Sequence, residues 1–127
     1  AIDPVPSSLS PTWHQILREK MGFTGVIITD DMTMLEHSQL PEYADRVNNA
    51  VLALAAANDA LLYVPSIDFD VNGLVSGIAS AVQSGTISQE QIDDSVTRVL
   101  TLRRELFPAA HTWVPPCDAR CFVKVTY

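Results

Sequence analysis

Apolar residues in this chain form two short continuous runs, at residues 25–30 and 60–64, separated by stretches with helical spacing. Each run is rich in β-prone side chains, lacks alternation with polar residues, and ends at carboxylates or at a proline. A short continuous apolar run of this kind is typical of a strand buried on both faces. The pattern therefore predicts two strands of a parallel α/β sheet.

Helix-start signals precede the stretches with helical spacing. Ser10 followed by Pro11 combines a capping side chain with a proline at the first helical position. Asp70 is a cap signal of the same kind, and Ser88 with Gln91 matches a capping box, in which Gln91 returns a hydrogen bond to the backbone of Ser88. The predicted helices cover residues 11–21, 42–57, 71–84 and, from Ser88 onward, a last helix that Pro108 ends.

The order strand, helix, strand predicts a βαβ unit with parallel strands and a right-handed crossover. Two such strands leave both outer edges of the sheet unpaired, and isolated two-stranded sheets are marginal in water. The pattern thus describes part of a larger fold, and the folded species is expected to be oligomeric or bound to a partner. Apolar side chains of the last helix are expected to face the core: Ile92, Val96, Val99, Leu102 and Leu106.

Charge and length exclude several function classes. The 127 residues carry a net charge of −7, so a nucleic-acid or anionic-membrane partner, which requires clustered lysine and arginine, is not expected. No apolar run approaches the ~18 residues of a membrane span. No secretory signal is visible in this segment, which favours a cytoplasmic location while leaving the compartment open. The absence of an initiator methionine suggests a chain processed or cut from something longer.

Residues 108–127 show no helical period and are predicted to be an irregular tail after a domain over residues 1–107. The tail holds Cys117 and Cys121, and His111 lies nearby. These provide at most three ligands, short of the four that a structural zinc site requires. No metal site and no cofactor are predicted.

The acidic pair Asp30 and Asp31 ends the first predicted strand. Carboxylates are costly to bury without partners, and the C-terminal ends of parallel strands are where catalytic groups lie in α/β folds. Asp30 is therefore the candidate chemical centre, although a plain capping acid remains the alternative. Because neighbouring residues of a strand point to opposite faces, Asp30 and Asp31 cannot lie on either side of one substrate bond. Asp31 is expected to hydrogen-bond the loop that follows.

Five segments of the chain carry motifs in a characteristic order: residues 8–11, 17–34, 56–62, 81–88 and 92–100. Together they resemble glycoside hydrolase family 3, and the resemblance covers roughly residues 1–107. Two acids followed by an apolar residue and Met34 are similar to the β-N-acetylglucosaminidase branch of that family. One departure is Ala57, where the family usually places glycine, so the turn before the second strand could differ.

The resemblance implies a (β/α)8 TIM barrel, with residues 25–30 and 60–64 as its seventh and eighth strands. This chain would then be the C-terminal half of the barrel, associating with a copy of itself or with the missing half-barrel. The implied reaction is retaining hydrolysis of terminal β-linked N-acetylglucosamine, or a related β-glycoside, through a covalent intermediate on Asp30 as nucleophile. Asp31 and Met34 would contact or support the carbohydrate substrate.

The resemblance implies that the acid/base of this branch of the family is a histidine on a mobile loop earlier in the barrel, and no histidine here lies in a matching context. His37 follows the first strand closely enough to be a substitute acid, whereas His14 is expected to be packed or solvated on the opening helix. Two other readings stay open at this point. One is a phospho-receiver domain, which lacks its acceptor aspartate and lysine here. The other is a non-catalytic hydrolase fragment that acts as an association module.

Overall fold

The computed structural model describes residues 3–64 and 69–107, so the predicted tail over 108–127 lies outside the described residues. Short 3-10 turns cover Ser7–Leu9 and Pro41–Tyr43, and a π-helical turn over Ile16–Lys20 continues the first helix. The helices and strands are α1 (Pro11–Gln15), β1 (Ile28–Asp31), α2 (Thr33–His37), α3 (Arg46–Ala55), β2 (Ala60–Leu62), α4 (Val71–Gln83) and α5 (Gln89–Leu106).

Three predicted N-caps are present. The side chains of Ser10, Asp70 and Ser88 each accept a hydrogen bond from a backbone amide in the first turn of the helix that follows. Asp45 caps α3 in the same way, which starts this helix at Arg46 and not at residue 42. These caps satisfy amides that have no partner within the helix.

The capping box predicted at α5 is only half formed. Ser88 accepts from the backbone amide of Gln91 at 3.1 Å, as expected. The Gln91 side chain does not return to Ser88; its amide donates instead to the carbonyl of Leu54. The Leu54 carbonyl also accepts from the backbone amide of Ala57 at 2.9 Å, and the Gln91 bond joins α5 to the end of α3.

The two strands pair in parallel, which confirms the predicted mixed α/β arrangement with a small parallel sheet. Ile28 lies opposite Ala60 and Asp31 opposite Leu62, so β1 has one residue more than β2 between the two pairs. At this irregularity the amide of Leu62 donates to the hydroxyl of Thr29 at 3.0 Å.

The prediction of a strand buried on both faces is wrong for β1 in the described chain. Thr29 is buried, but the Ile28 side chain on the opposite face is 59% exposed. The strand is also shorter than predicted, beginning at Ile28 rather than at Gly25. Within the described residues β1 has only β2 as a neighbouring strand, and no element covers the face that carries Ile28.

The core forms two clusters on either side of α3. One contains the buried residues Leu9, Met32 and Ala53, and the other contains Leu54, Ala81 and Ile87. The clusters lie where the turn before α1, the sheet and α4 pack on α3.

The prediction that the apolar side chains of α5 face the core is mostly wrong. Ile92 packs against the second core cluster, but Val96, Leu102 and Leu106 are 50%, 41% and 63% exposed. The buried residue of this helix is the polar Ser95. The helix is therefore oriented by polar contacts, described next, and its apolar stripe faces away from the described core.

Ala57 keeps a left-handed backbone, with φ of 80°. Glycine adopts this region freely, whereas an L side chain there costs about 1–2 kcal/mol. The chain therefore turns through a left-handed residue before β2 and accepts this strain at an alanine.

Asp59, at the start of β2, joins three segments through its fully buried side chain. Its Oδ2 accepts from Arg18 Nη2 at 2.6 Å and from the backbone amide of Ile27 at 2.7 Å. Its Oδ1 accepts from Ser95 Oγ at 2.9 Å and Arg98 Nη1 at 2.8 Å. The residues after α1, the lead into β1 and helix α5 thus meet at one carboxylate.

Burial of the Asp59 carboxyl raises its pKa, but the hydrogen bonds from Ile27, Ser95 and Arg98 and the charge of Arg18 outweigh that effect. The net pKa lies below the ordinary value of 3.8. The ionised form is therefore the one that the fold stabilises.

We predict that Asp59→Asn lowers the free energy of unfolding by about 3 kcal/mol at pH 7, because it leaves two arginines without their buried partner. Urea unfolding measures this change. The matched control is Asp94→Asn, since Asp94 also contacts Arg98, at 3.5 Å, but is 63% exposed. That control should change stability by less than about 0.5 kcal/mol.

The same pair of proteins gives a pH test. A carboxylate with a lowered pKa stabilises the fold above its unfolded pKa of 3.8 and loses that contribution as pH falls through the folded pKa. The difference in stability between wild type and Asp59→Asn should be constant above about pH 5 and shrink below pH 4. A difference that persists unchanged at low pH would contradict the assignment.

Candidate functional site

The predicted acidic pair lies at the C-terminal edge of the sheet. Because β1 and β2 are parallel, the residues after both strands meet at this edge. Asp30 and Asp31 end β1, α2 follows directly, and Tyr63 and Val64 follow β2. The edge lies opposite the Asp59 carboxylate, which is at the N-terminal end of β2.

Asp30 has an exposed side chain with an open carboxylate oxygen. Its Oδ1 accepts from the backbone amide of Asp31 at 2.7 Å. Within residues 3–64 and 69–107, no donor hydrogen-bonds its Oδ2. A carboxylate held on one oxygen and open on the other can approach a bound molecule.

The Asp31 carboxylate is occupied by its own surroundings. Its Oδ1 accepts from the backbone amides of Thr33 and Val64, each at 3.0 Å, and its Oδ2 accepts from the Thr33 hydroxyl at 2.6 Å. These are the loop contacts expected for Asp31. The Thr33 hydroxyl first, then the Val64 amide, hold the pKa of Asp31 below 3.8. Asp31 ties the loop after β1 to the residues after β2.

The remaining predicted residues near this edge lie on α2. Met34 is 60% exposed. His37 is exposed in the last turn of the helix, and its charge contributes to the lowered pKa of Asp31. His14 is remote from this role: it is buried in α1, and its Nδ1 lies 2.7 Å from the carbonyl of Ser10. His111, Cys117 and Cys121 lie outside the described residues.

A second cluster at this edge was not predicted from the sequence. Arg46 donates to both carboxylate oxygens of Glu36, from Nε and from Nη2, each at 2.8 Å. The Arg46 guanidinium lies over the Phe69 ring, with Cζ 4.8 Å from the centroid. The Phe69 ring centre lies 5.1 Å from that of Tyr63. We call these four residues, Glu36, Arg46, Tyr63 and Phe69, the edge cluster.

The hydroxyl of Tyr63 is the polar group of the edge cluster with the fewest hydrogen bonds. It is buried and has no hydrogen-bond partner among the described residues. Burial first, and then the nearby charge of Glu36, raise the pKa of Tyr63 to about 12. The hydroxyl therefore stays protonated at neutral pH.

The described residues contain no group of three or more histidine, cysteine, aspartate or glutamate side chains that could hold a metal ion. None of the helices described above is long and apolar enough to cross a membrane.

The sequence over residues 1–102 matches the family described as "Glycosyl hydrolase family 3 N terminal domain". The chain belongs to glycosyl hydrolase family 3. This confirms the resemblance at the level of the family and excludes the phospho-receiver alternative.

Two relatives that the chain matches have the names of glycosidases. The chain is 30% identical over 93 residues to a "Beta-N-acetylglucosaminidase/beta-glucosidase" of Cellulomonas fimi, covering 73% of this chain and 15% of that protein. It is 44% identical over 62 residues to a "Beta-hexosaminidase" of Methylococcus capsulatus, covering 48% of this chain and 18% of that protein.

A solved structure of a family 3 β-N-acetylglucosaminidase from a Paenibacillus species superposes with a TM-score of 0.72 and 30% identity. The superposition covers 91% of this chain and 22% of that one. The chain thus spans less than a quarter of each of these three relatives.

We predict that Thr33→Val raises the pKa of Asp31, because it removes the hydroxyl that contributes most to the lowered value. Thr33→Ser is the matched control, since it keeps the donor and should keep the low pKa. Titration of the Asp31 carboxyl carbon by NMR measures both. Equal pKa values in Thr33→Val and wild type would show that the hydroxyl bond does not hold the carboxylate.

Proposed function

We propose that this chain carries the nucleophile of a retaining β-N-acetylglucosaminidase, with Asp30 in that role. Family membership and the names of the relatives support glycoside hydrolysis. The observation that selects the residue is the difference between the two neighbouring acids. Asp30 is exposed with an open oxygen, whereas both oxygens of Asp31 accept hydrogen bonds.

In the proposed reaction the Asp30 carboxylate attacks the anomeric carbon of the terminal sugar. The glycosidic bond breaks as an acid protonates the leaving oxygen, and a covalent glycosyl-aspartate forms. Water then hydrolyses this ester, with the same acid now acting as base, and the sugar keeps its anomeric configuration. The family resemblance implies a histidine from an earlier barrel loop as acid; the exposed His37 is the alternative within the described residues.

Asp31 and Met34 are proposed as supporting residues. Asp31 fixes the loop after β1 through Thr33 and Val64. Met34 is exposed on α2, which follows that loop, and would contact the carbohydrate through its apolar side chain. Neither residue is proposed to exchange a proton or form a bond with the sugar.

We further propose that residues 1–107 are part of a (β/α)8 barrel, with β1 and β2 as its seventh and eighth strands. The outer edge of each strand is unpaired within the described sheet, and Ile28, Val96 and Leu106 expose apolar surface. Strand edges and apolar faces of this kind favour pairing with further chain. The occupant would be a second copy or the other half of a barrel.

The test of the nucleophile compares wild type, Asp30→Asn and Asp31→Asn in turnover of an aryl N-acetylglucosaminide and an aryl glucoside. We expect Asp30→Asn to abolish turnover, because an amide cannot attack the anomeric carbon. Asp31→Asn should retain measurable activity.

Full activity of Asp30→Asn, or loss confined to Asp31→Asn, would contradict the assignment. No turnover by wild type would favour the alternative of a non-catalytic association module. A preference for the aryl glucoside would move the substrate class from N-acetylglucosamine to glucose.

Association is tested by light scattering across a range of protein concentrations. We expect a mass above that of one chain for the folded protein, because a single copy leaves both sheet edges open. A stable monomer with cooperative unfolding at every concentration would contradict the partial-barrel proposal.

A further inference from the structure

The edge cluster connects three segments that leave the C-terminal ends of the strands. Glu36 lies on α2, which begins two residues after Asp31, and Arg46 is the first residue of α3. Phe69 lies just before Asp70, the residue that caps α4. The contacts among them join the loop after β1 to the chain after β2.

Helix α2 depends on such contacts for its position. It has five residues, and its N-cap residue, Met32, makes no side-chain capping hydrogen bond. Isolated helices shorter than about 12 residues are marginal in water, so tertiary contacts must hold α2 in place. Three observed contacts do this: the Asp31–Thr33 hydrogen bonds at its start, the packing of Leu35 on the first core cluster, and the Glu36–Arg46 pair near its end.

The Glu36–Arg46 pair has the geometry of an orienting contact. Two parallel hydrogen bonds fix both the distance and the plane of the carboxylate, and the Phe69 ring supports the guanidinium from one side. The side chains of Arg46 and Glu36 are 27% and 20% exposed. Partly exposed pairs contribute little to overall stability, typically about 1 kcal/mol or less, so loss of the pair should release α2 without unfolding the chain.

We propose that Glu36 and Arg46 are positioning residues for the nucleophile. Together with Asp31 they hold α2 and the loop after β1 in one conformation, directly beside the end of β1, where the backbone amide of Asp31 binds Asp30 Oδ1. The open oxygen of Asp30 is thereby directed to one place at the strand ends. This inference rests on the proposed function, because it concerns the orientation of the same carboxylate.

The test uses Arg46→Lys and Glu36→Gln in the full chain, with steady-state turnover of the aryl N-acetylglucosaminide. Lysine keeps the charge but cannot form the two parallel bonds. We expect kcat to fall about tenfold in each variant with KM changed less than twofold, because a displaced nucleophile slows the chemical step. The charge-reversed double variant Glu36→Arg with Arg46→Glu should recover part of the lost kcat.

Two controls separate positioning from general stability. Asp94→Asn removes a carboxylate from the Arg98 pair on α5, away from the strand ends, and should keep kcat unchanged. Thermal unfolding of every variant should show midpoints well above the assay temperature. A kcat equal to wild type in Arg46→Lys, or a loss of activity in proportion to the loss of folded protein, would overturn the inference.

Failure of the proposed function gives a different result. If wild type shows no turnover, or Asp30→Asn shows full turnover, the nucleophile assignment is rejected. The positioning role of Glu36 and Arg46 is then rejected with it, before the edge-cluster variants are compared. An active wild type, an inactive Asp30→Asn and a fully active Arg46→Lys would leave the nucleophile in place and reject only the positioning role.

Discussion

The buried carboxylate of Asp59 is the interaction on which the described fold depends. It accepts four hydrogen bonds, from two arginines, one serine and the backbone before β1, so segments distant in the sequence meet at one point. An ionised carboxylate in that position is tolerated only because every donor is present. The requirement fixes α5 against the sheet by polar contacts, which explains why the apolar stripe of α5 faces outward.

Because this junction lies at the N-terminal end of β2, the opposite end of the sheet does not have to stabilise the fold in the same way. In parallel α/β folds the N-terminal face is associated with stability and the C-terminal face with chemistry. In this chain the two ends of the sheet differ in the burial of their carboxylates. Asp59 is enclosed, whereas Asp30 is exposed and hydrogen-bonded on one oxygen only. Asp31 lies between these extremes, ionised and bound to its own loop.

Local signals in the sequence predicted much of this arrangement. The caps at Ser10, Asp70 and Ser88 depend on residues three positions apart, and the parallel strand pair follows from two apolar runs around a helix. Long-range partners could not be predicted in this way. The side chain of Gln91 donates to the carbonyl of Leu54 rather than back to Ser88, and the Glu36–Arg46 pair joins positions that no periodicity connects. The exposure of Ile28 likewise depends on which elements pack on its face of the sheet.

The proposed covalent bond between Asp30 and the sugar can be tested by acid-quenching the protein during turnover of an activated aryl N-acetylglucosaminide, followed by intact-mass measurement and peptide mapping. We expect a mass increase of one glycosyl residue, located on Asp30. An adduct on Asp31 or another residue, or rapid turnover of the same substrate with inverted anomeric configuration, would contradict it.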